Sequence, residues 1–349
     1  MGAGIIGLSL AWQLRKQGCT VLVVERGEPG REASHAAAGM LAYGDPEDCD
    51  PLLKLKLASA ALYPEFVHEI EDEARMHVDF RREGTIAFLE SHEQPACSNA
   101  HEVSPAELLK LEPNLTYSPE ADGLRAFWLE DGSVDNRALA TGLVKATRHR
   151  NVDVASGAEV QSLIAENDRT TGVRTARTDF RAPVVVNCAG AWAGSVAPQT
   201  VPMRPVKGQM LSVVSNDRML LRHVVRAPGV YVVPRSDGRI LIGATVEEAG
   251  YDKRVDVNVI QRLHQAAANL VPQLGELRMH EAWAGLRPAA PDNLPVLGAT
   301  SLPGYFVATG HFRNGILLAP ITAQVLAQVI AGQKPDCELS AFSPQRFAA

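Results

Sequence analysis

The chain opens on three glycines at G-x-G-x-x-G spacing, Gly2-Ala3-Gly4-Ile5-Ile6-Gly7. The spacing suits a strand-to-helix turn that brings backbone close to a pyrophosphate at the positive end of a helix. The first glycine makes the tight turn, the second keeps a Cβ away from the phosphates, and the third lets helix and strand touch. Ala11, one turn after Gly7, keeps that packing face small. An amphipathic segment, Ile5 to Lys16, runs to a stop at Gly18, and Thr20 to Val24 then reads as a buried parallel strand ending in Glu25. An acid at the end of the second strand supplies the acceptor that ribose hydroxyls require, so a dinucleotide-binding half-unit is expected here.

Such a turn ordinarily follows a strand of about five apolar residues, yet Met1 stands directly before the first glycine. That strand would be central to the sheet, and its neighbours' donors and acceptors need partners. The expectation is a short extension ahead of Met1, a valine codon at the strand's end having been read as the start.

A chain of 349 residues fits two intimately connected domains rather than one simple core. Its 34 basic and 40 acidic residues give a net charge of −6, no footprint for nucleic acid. The five cysteines, Cys19, Cys49, Cys97, Cys188 and Cys337, are scattered and form no C-x-x-C pair, which points to a reduced cytoplasmic protein without structural zinc. The apolar run Ile5 to Leu14 lacks a basic flank, and no stretch reaches the roughly 20 apolar residues of a membrane span.

Past Glu25 and Arg26, the stretch to Leu41 is rich in Gly, Ala and Ser, side chains small enough to let backbone lie against something flat; Ser34 is read as capping a short helix whose amides face phosphate. Pro51 to His77 is helical by composition, with Pro64 expected to kink or divide it. Phe80 to Leu89 reads as a strand or hairpin around Gly84, and Ser104-Pro105-Ala106-Glu107 as a capped helix start on the substrate side. Asp135 is a cap for a helix to about Arg148. Val152 to Val154 and Glu159 to Ala165, the latter including Val160, read as strands, as does Val184 to Asn187, which ends in Cys188-Ala189-Gly190-Ala191-Trp192, a further surface for a cofactor. From Met203 the pattern turns to β, with strands at Gln209 to Val214, Gly229 to Pro234 and Arg239 to Ala244 and a hairpin turn at Ser236-Asp237-Gly238. A helix over Val257 to Leu270 follows, and the chain ends in a strand, a glycine-flanked loop and a helix to about Ala331.

Together these motifs resemble the FAD-dependent amino-acid oxidase family, and within it the glycine oxidases of thiamine biosynthesis. The resemblance rests on the glycine turn, Ala36-Ala37-Ala38-Gly39-Met40-Leu41, Val206-Lys207-Gly208, Tyr231-Val232-Val233-Pro234-Arg235, Gly243-Ala244-Thr245, Trp283 to Pro288 and Gly310 to Pro320. It implies an α/β protein: a Rossmann-like FAD-binding domain (1–76, 134–202 and 286–349) interleaved with an α+β substrate domain of mixed, largely antiparallel sheet (77–133 and 203–285). It further implies noncovalent FAD, held by Gly2 to Gly7, Glu25, Arg26, Ser34, Ala38, Gly39, Met40, Val160, Ala189, Gly190, Trp192 and the Arg313-Asn314-Gly315-Ile316-Leu317 loop. Arg287 would hold the substrate carboxylate, with Tyr231 and Arg313 in the same pocket. A planar guanidinium with two parallel N–H···O bonds suits that task better than lysine.

The implied activity is oxidation of glycine, sarcosine or small D-amino acids by hydride transfer from Cα to flavin N5. O2 would be reduced to H2O2, and the imine used for a thiazole ring or hydrolysed to a 2-oxo acid and ammonia. Relatives of this kind are often tetramers. Two alternatives stay open on the sequence: a dehydrogenase passing electrons to a quinone or carrier, and a flavin-free remnant with a binding or structural role.

Overall fold

The computed structural model describes residues 1–45, 50–96, 100–116, 123–198 and 200–347; Cys49 and Cys97 lie outside them. The glycine turn leads into the helix Ile5–Lys16, whose first eight residues are all buried. A helix apolar all round must be covered all round. Leu8 and Trp12 pack with Leu139, Leu143 and Ala146 of the helix Asn136–His149, Ile70 of Asp50–Ala74, and Val325 and Leu326 of Ala319–Ile330 in one core.

Under these helices the sheet is built from separate pieces of chain. Leu22–Glu25 pairs in parallel with Asp153–Ser156. Val185–Asn187 pairs in parallel with Tyr305–Thr309, which is antiparallel to Val296–Ala299. Met1 and Gly2 bridge the two groups: Gly2 N donates to Val24 O at 2.9 Å, Met1 N to Val186 O at 2.7 Å, and Cys188 N to Met1 O at 2.9 Å. Where a central strand was expected, these two residues supply the pairing.

The second layer is an eight-stranded sheet in the order Met279–Ala289, Arg204–Val214, Arg239–Gly243, Val230–Pro234, Val224–Ala227, Thr85–Glu90, Leu124–Leu129, His101–Glu102. Its pairs are antiparallel except Val224–Ala227 with Thr85–Glu90. Because side chains alternate along a strand, Leu211, Val213, Val232 and Ile242 face the helix Val257–Leu270, packing with its Ile260, Leu263 and Ala267. Met210, Tyr231, Val233, Leu241 and Trp283 face the other way, towards Ala38 and Met40. The α/β class with a dinucleotide-type layer and a mixed-sheet layer is as expected.

Local signals held where they were self-contained. Ser104 and Glu107 form a reciprocal capping box, and Asp135 accepts from the amides of Arg137 and Ala138. Two readings need correction, and two strands went unread. Pro64 does not divide its helix, which runs unbroken over Asp50–Ala74; Tyr63, Phe66 and Ile70 are anchored in the core and outweigh the one lost N–H. The 80–89 stretch is two strands, Phe80–Arg81 and Thr85–Glu90, in different sheets. Arg169–Thr175 and Asp179–Arg181, too polar to stand out, complete an antiparallel sheet with Val160–Glu166. Among the described residues no helix is long and apolar enough to cross a membrane.

A tight constraint lies at Gly7, where a Cβ would lie 2.0 Å from Gly2 O. Alanine normally favours a helix over glycine by about 1 kcal/mol. Here the backbone contact wins: Gly7→Ala should lower stability by about 1–3 kcal/mol, read as a fall in the urea midpoint. A rise would refute the contact.

Candidate active site

A cavity of about 530 Å3 is walled by both layers, within the ~300–1,000 Å3 range of small-molecule sites. At the glycine turn its wall is Gly2, Gly4, Ile5 and Ile6. Ala3 and Gly7 are not at the wall. Ala3 is buried and donates to Glu25 Oε2 at 2.7 Å, while Gly7 backs onto Gly2. Glu25 Oε1 accepts from Gly27 N at 2.8 Å. Both oxygens are thus fixed by backbone at the wall, each with a lone pair to spare for a hydroxyl. Ser34 does not cap its own helix, Ala33–Ala36, in which it lies; its Oγ accepts from Ile5 N at 2.8 Å, at the start of the glycine-turn helix.

Past Glu25 the Arg26 guanidinium lies 3.4 Å from the Trp192 ring centroid, and Trp192 stacks on Tyr251 at 5.5 Å. Tyr251 donates to Ala191 O at 3.0 Å, and Glu32 takes Arg26 at 2.9 Å and Lys253 at 3.1 Å. Val160, Ala189 and Gly190 complete this end. Ala38, Gly39 and Met40 line the middle.

The far end is set by strand register. Tyr231, Gly243, Met210 and Trp283 stand in one row across four neighbouring strands, and in an antiparallel pair opposed residues share a face. Gly285 and Arg287 follow Trp283 at two-residue steps on that same face, and Gly208 opposes Gly285. The opposed glycines clear a shelf. A Cβ on Gly208 would lie 2.5 Å from the Arg287 guanidinium, and one on Gly285 2.3 Å from Ala36 Cβ. Arg287 Nη1 donates to Thr245 O at 3.0 Å and Lys207 O at 3.3 Å, which fixes its plane. Burial lowers the Arg287 pKa, Tyr231 opposes that and Arg313 adds to it; a guanidinium stays charged regardless. Burial raises the Tyr231 phenol, and Arg287, Arg313 and Arg226 pull it back.

Arg313, Asn314, Gly315 and Ile316 reach the cavity; Leu317 does not, being core-buried with its carbonyl accepting from Ser59 Oγ at 2.6 Å. Arg313 is exposed, its guanidinium 5.1 Å from the Phe312 ring centroid.

A family model described as FAD dependent oxidoreductase matches residues 1–329. The chain belongs to this family of FAD-dependent oxidoreductases. It is 38% identical over 357 residues to the bifunctional protein ThiO/ThiG of Trichormus variabilis, covering 99% of this chain and 54% of that protein. It thus spans about half the length of the bifunctional relatives it matches. To the glycine oxidase of Pseudomonas aeruginosa it is 33% identical over 362 residues, covering 99% of this chain and 97% of that one. The crystal structure of glycine oxidase from Geobacillus kaustophilus superposes with a TM-score of 0.91 at 30% identity, covering 100% of this chain and 98% of that one.

The site fits the family's FAD. Gly2 and Gly4 line the cavity at the N-terminus of a helix where a side chain would intrude, an anchored carboxylate lies a strand away, and the long wall from Ala36 to Met40 carries no bulky side chain until Met40.

Sequence reasoning missed two groups at the clamp end. Arg226 stands directly opposite Tyr231 in the sheet and bonds Asp45. Burial would raise the Asp45 carboxyl, but Arg226 and Lys56 outweigh it and hold it low. Beneath them Asp131 is pushed up to about 7 by burial. Nothing local flags these residues, because the pair joins positions 181 apart. His311 is the other: buried, its Nε2 3.0 Å from Thr322 Oγ1, pushed down to about 3 by burial.

Two outcomes follow. Gly208→Ala should leave the fold intact but displace Arg287, weakening a small carboxylate inhibitor by about tenfold or more, measured by calorimetry; unchanged affinity would detach Arg287 from the site. As pH falls from about 6.5 towards 3, unfolded His311 takes a proton that the folded one refuses, so the wild type loses stability relative to His311→Asn over that window, read from paired urea midpoints. Parallel curves would show that His311 is not held neutral.

Proposed function

We propose that the chain oxidises glycine or another small amino acid to its imine, with O2 as electron acceptor. The observation that carries this is the Arg287 guanidinium, locked by two carbonyls above a glycine shelf with the Tyr231 phenol beside it, at one end of a cavity whose other end suits a dinucleotide. The named glycine oxidases among the relatives support the same reading. Residues 1–76, 134–202 and 286–349 are assigned to FAD binding, 77–133 and 203–285 to the substrate, with the strand Met279–Ala289 spanning the boundary at 286.

FAD, held by the glycine turn, Glu25 and the 36–40 wall, would supply the acceptor for the hydride leaving Cα and return the electrons to O2 as H2O2. The protein's part is to bind and orient. With Nη1 occupied by Lys207 and Thr245, Arg287 offers Nη2 to the substrate carboxylate. Tyr231, kept protonated, has only a 3.5 Å contact with Met210 Sδ as acceptor and is free to turn its O–H to a carboxylate oxygen. Arg226, held by Asp45, lines the same end and favours small side chains.

Among the described residues that line the clamp end no free base stands: His311 is held neutral against Thr322 and Asp45 is paired, while Asp131, pushed up to about 7, lies beneath them and does not line the cavity. Three guanidinium groups act on the Tyr231 oxygen, and the same field disfavours an ammonium beside it. The amine therefore reacts in its neutral form, its lone pair assisting hydride departure. The imine is released for thiazole synthesis or hydrolyses to a 2-oxo acid and ammonia.

The FAD-supplemented protein should release peroxide with glycine, sarcosine or D-alanine; turnover with a dye but no oxygen uptake would mark a dehydrogenase instead. Arg287→Ala should raise KM by about 10–150-fold, as loss of hydrogen bonds to a charged group costs about 1.5–3 kcal/mol. Without a protein base, kcat/KM should climb with unit slope towards the substrate amine's own pKa. A plateau well below it would reveal a base.

A further inference from the structure

The wall that runs from Ser34 to Gly39 is held from behind at nearly every carbonyl. Asn136 Nδ2 takes Ser34 O at 2.7 Å and His35 O at 3.2 Å, and Trp283 Nε1 takes Ala36 O at 3.0 Å. Arg235 Nη2 takes Ala38 O at 2.6 Å, and Val134 N takes Gly39 O at 2.8 Å. None of Asn136, Trp283, Arg235 and Val134 lines the cavity, whereas Ala36 to Met40 do. In a trans peptide the N–H points opposite to the carbonyl it is joined to, and these peptides are trans. The amide of Gly39 is therefore turned to the cavity side, and among the described residues it donates no hydrogen bond.

Of these donors Arg235 carries a charge. It is 2% exposed, its Nη1 has no hydrogen-bond partner, and Asn136 Oδ1 at 3.5 Å is its other contact. Asp135 and Asp79 are its nearby counter-charges, but Asp135 already bonds Arg239 and Asp79 bonds Ser236. Burial pulls this guanidinium down to about 10. Packing alone gives no reason to bury a cation with a donor unused, since an apolar side chain of that volume costs far less.

We propose that Arg235 is a positioning residue for the flavin: it turns the Ala38–Gly39 peptide so that its amide faces the cavity, and its buried charge favours negative charge on the ring lying against that wall. Arg235 lies outside the clamp and touches no substrate. The inference rests on the reading that the cavity holds FAD.

The test separates the hydrogen bond from the charge. Arg235→Gln keeps a donor for Ala38 O without charge, Arg235→Lys keeps charge without the fork, and Arg235→Met keeps neither. FAD affinity is read by flavin fluorescence. At saturating FAD, sulfite affinity is read by bleaching near 450 nm, since sulfite adds to flavin N5 and leaves negative charge on the ring. Gln should bind FAD within about threefold of the parent yet sulfite about tenfold or more weakly, and Lys should restore sulfite. A thermal melt of each FAD complex reports any purely structural loss, which would lower all variants without moving sulfite affinity. Gln and Lys both matching the parent for sulfite would overturn the proposal, even if Met fails to fold. A parent that binds no FAD would instead overturn the assignment of the cavity.

Discussion

The backbone contact of Gly7 on Gly2 fixes where the first helix can lie. With two hydrogens in place of side chains, that helix rests directly on the turn, and its buried face meets three further helices. Its N-terminus then has one position, opposite Ser34, and that contact places the whole small-residue wall. Along that wall, from Ala36 to Gly39, backbone and small side chains face the cavity. Burial of so much peptide is possible because its carbonyls are satisfied from behind.

The two layers are joined by charge as well as by packing. Arg137 meets Glu281 at 2.7 Å, Arg239 meets Asp135 at 2.5 Å and Lys253 meets Glu32 at 3.1 Å, each pair crossing between layers. Partly exposed pairs such as Lys253 with Glu32 contribute little, up to about 1 kcal/mol. Their effect lies in orientation: each ties one layer to the other, and Glu32 of the last pair also lines the cavity.

What could be read in the sequence follows from how local each signal is. The glycine turn, the acid after the second strand, the capping box at Ser104 and the cap at Asp135 all act within a few residues, and each was legible. Arg287, Tyr231 and the 313–316 loop came from likeness to a family, and the structure gathers them at one cavity. Ser34 was read for a helix of its own and serves another 29 residues away. Arg226 with Asp45, and Arg235 with Ala38, join positions 181 and 197 apart, so no window of sequence holds both partners. The division allowed for at Pro64 does not occur, because that rule describes an isolated helix, whereas here tertiary anchors on both sides decide.

The strand Met279–Ala289 carries Trp283, Gly285 and Arg287 like marks on a ruler: one grips the wall, one clears space and one carries the guanidinium proposed for the carboxylate. All three need the same side of the pleat. A single-residue insertion or deletion between them would send everything downstream to the opposite side. Lineages of this enzyme can therefore vary the strand's letters, but change its length there only in even steps.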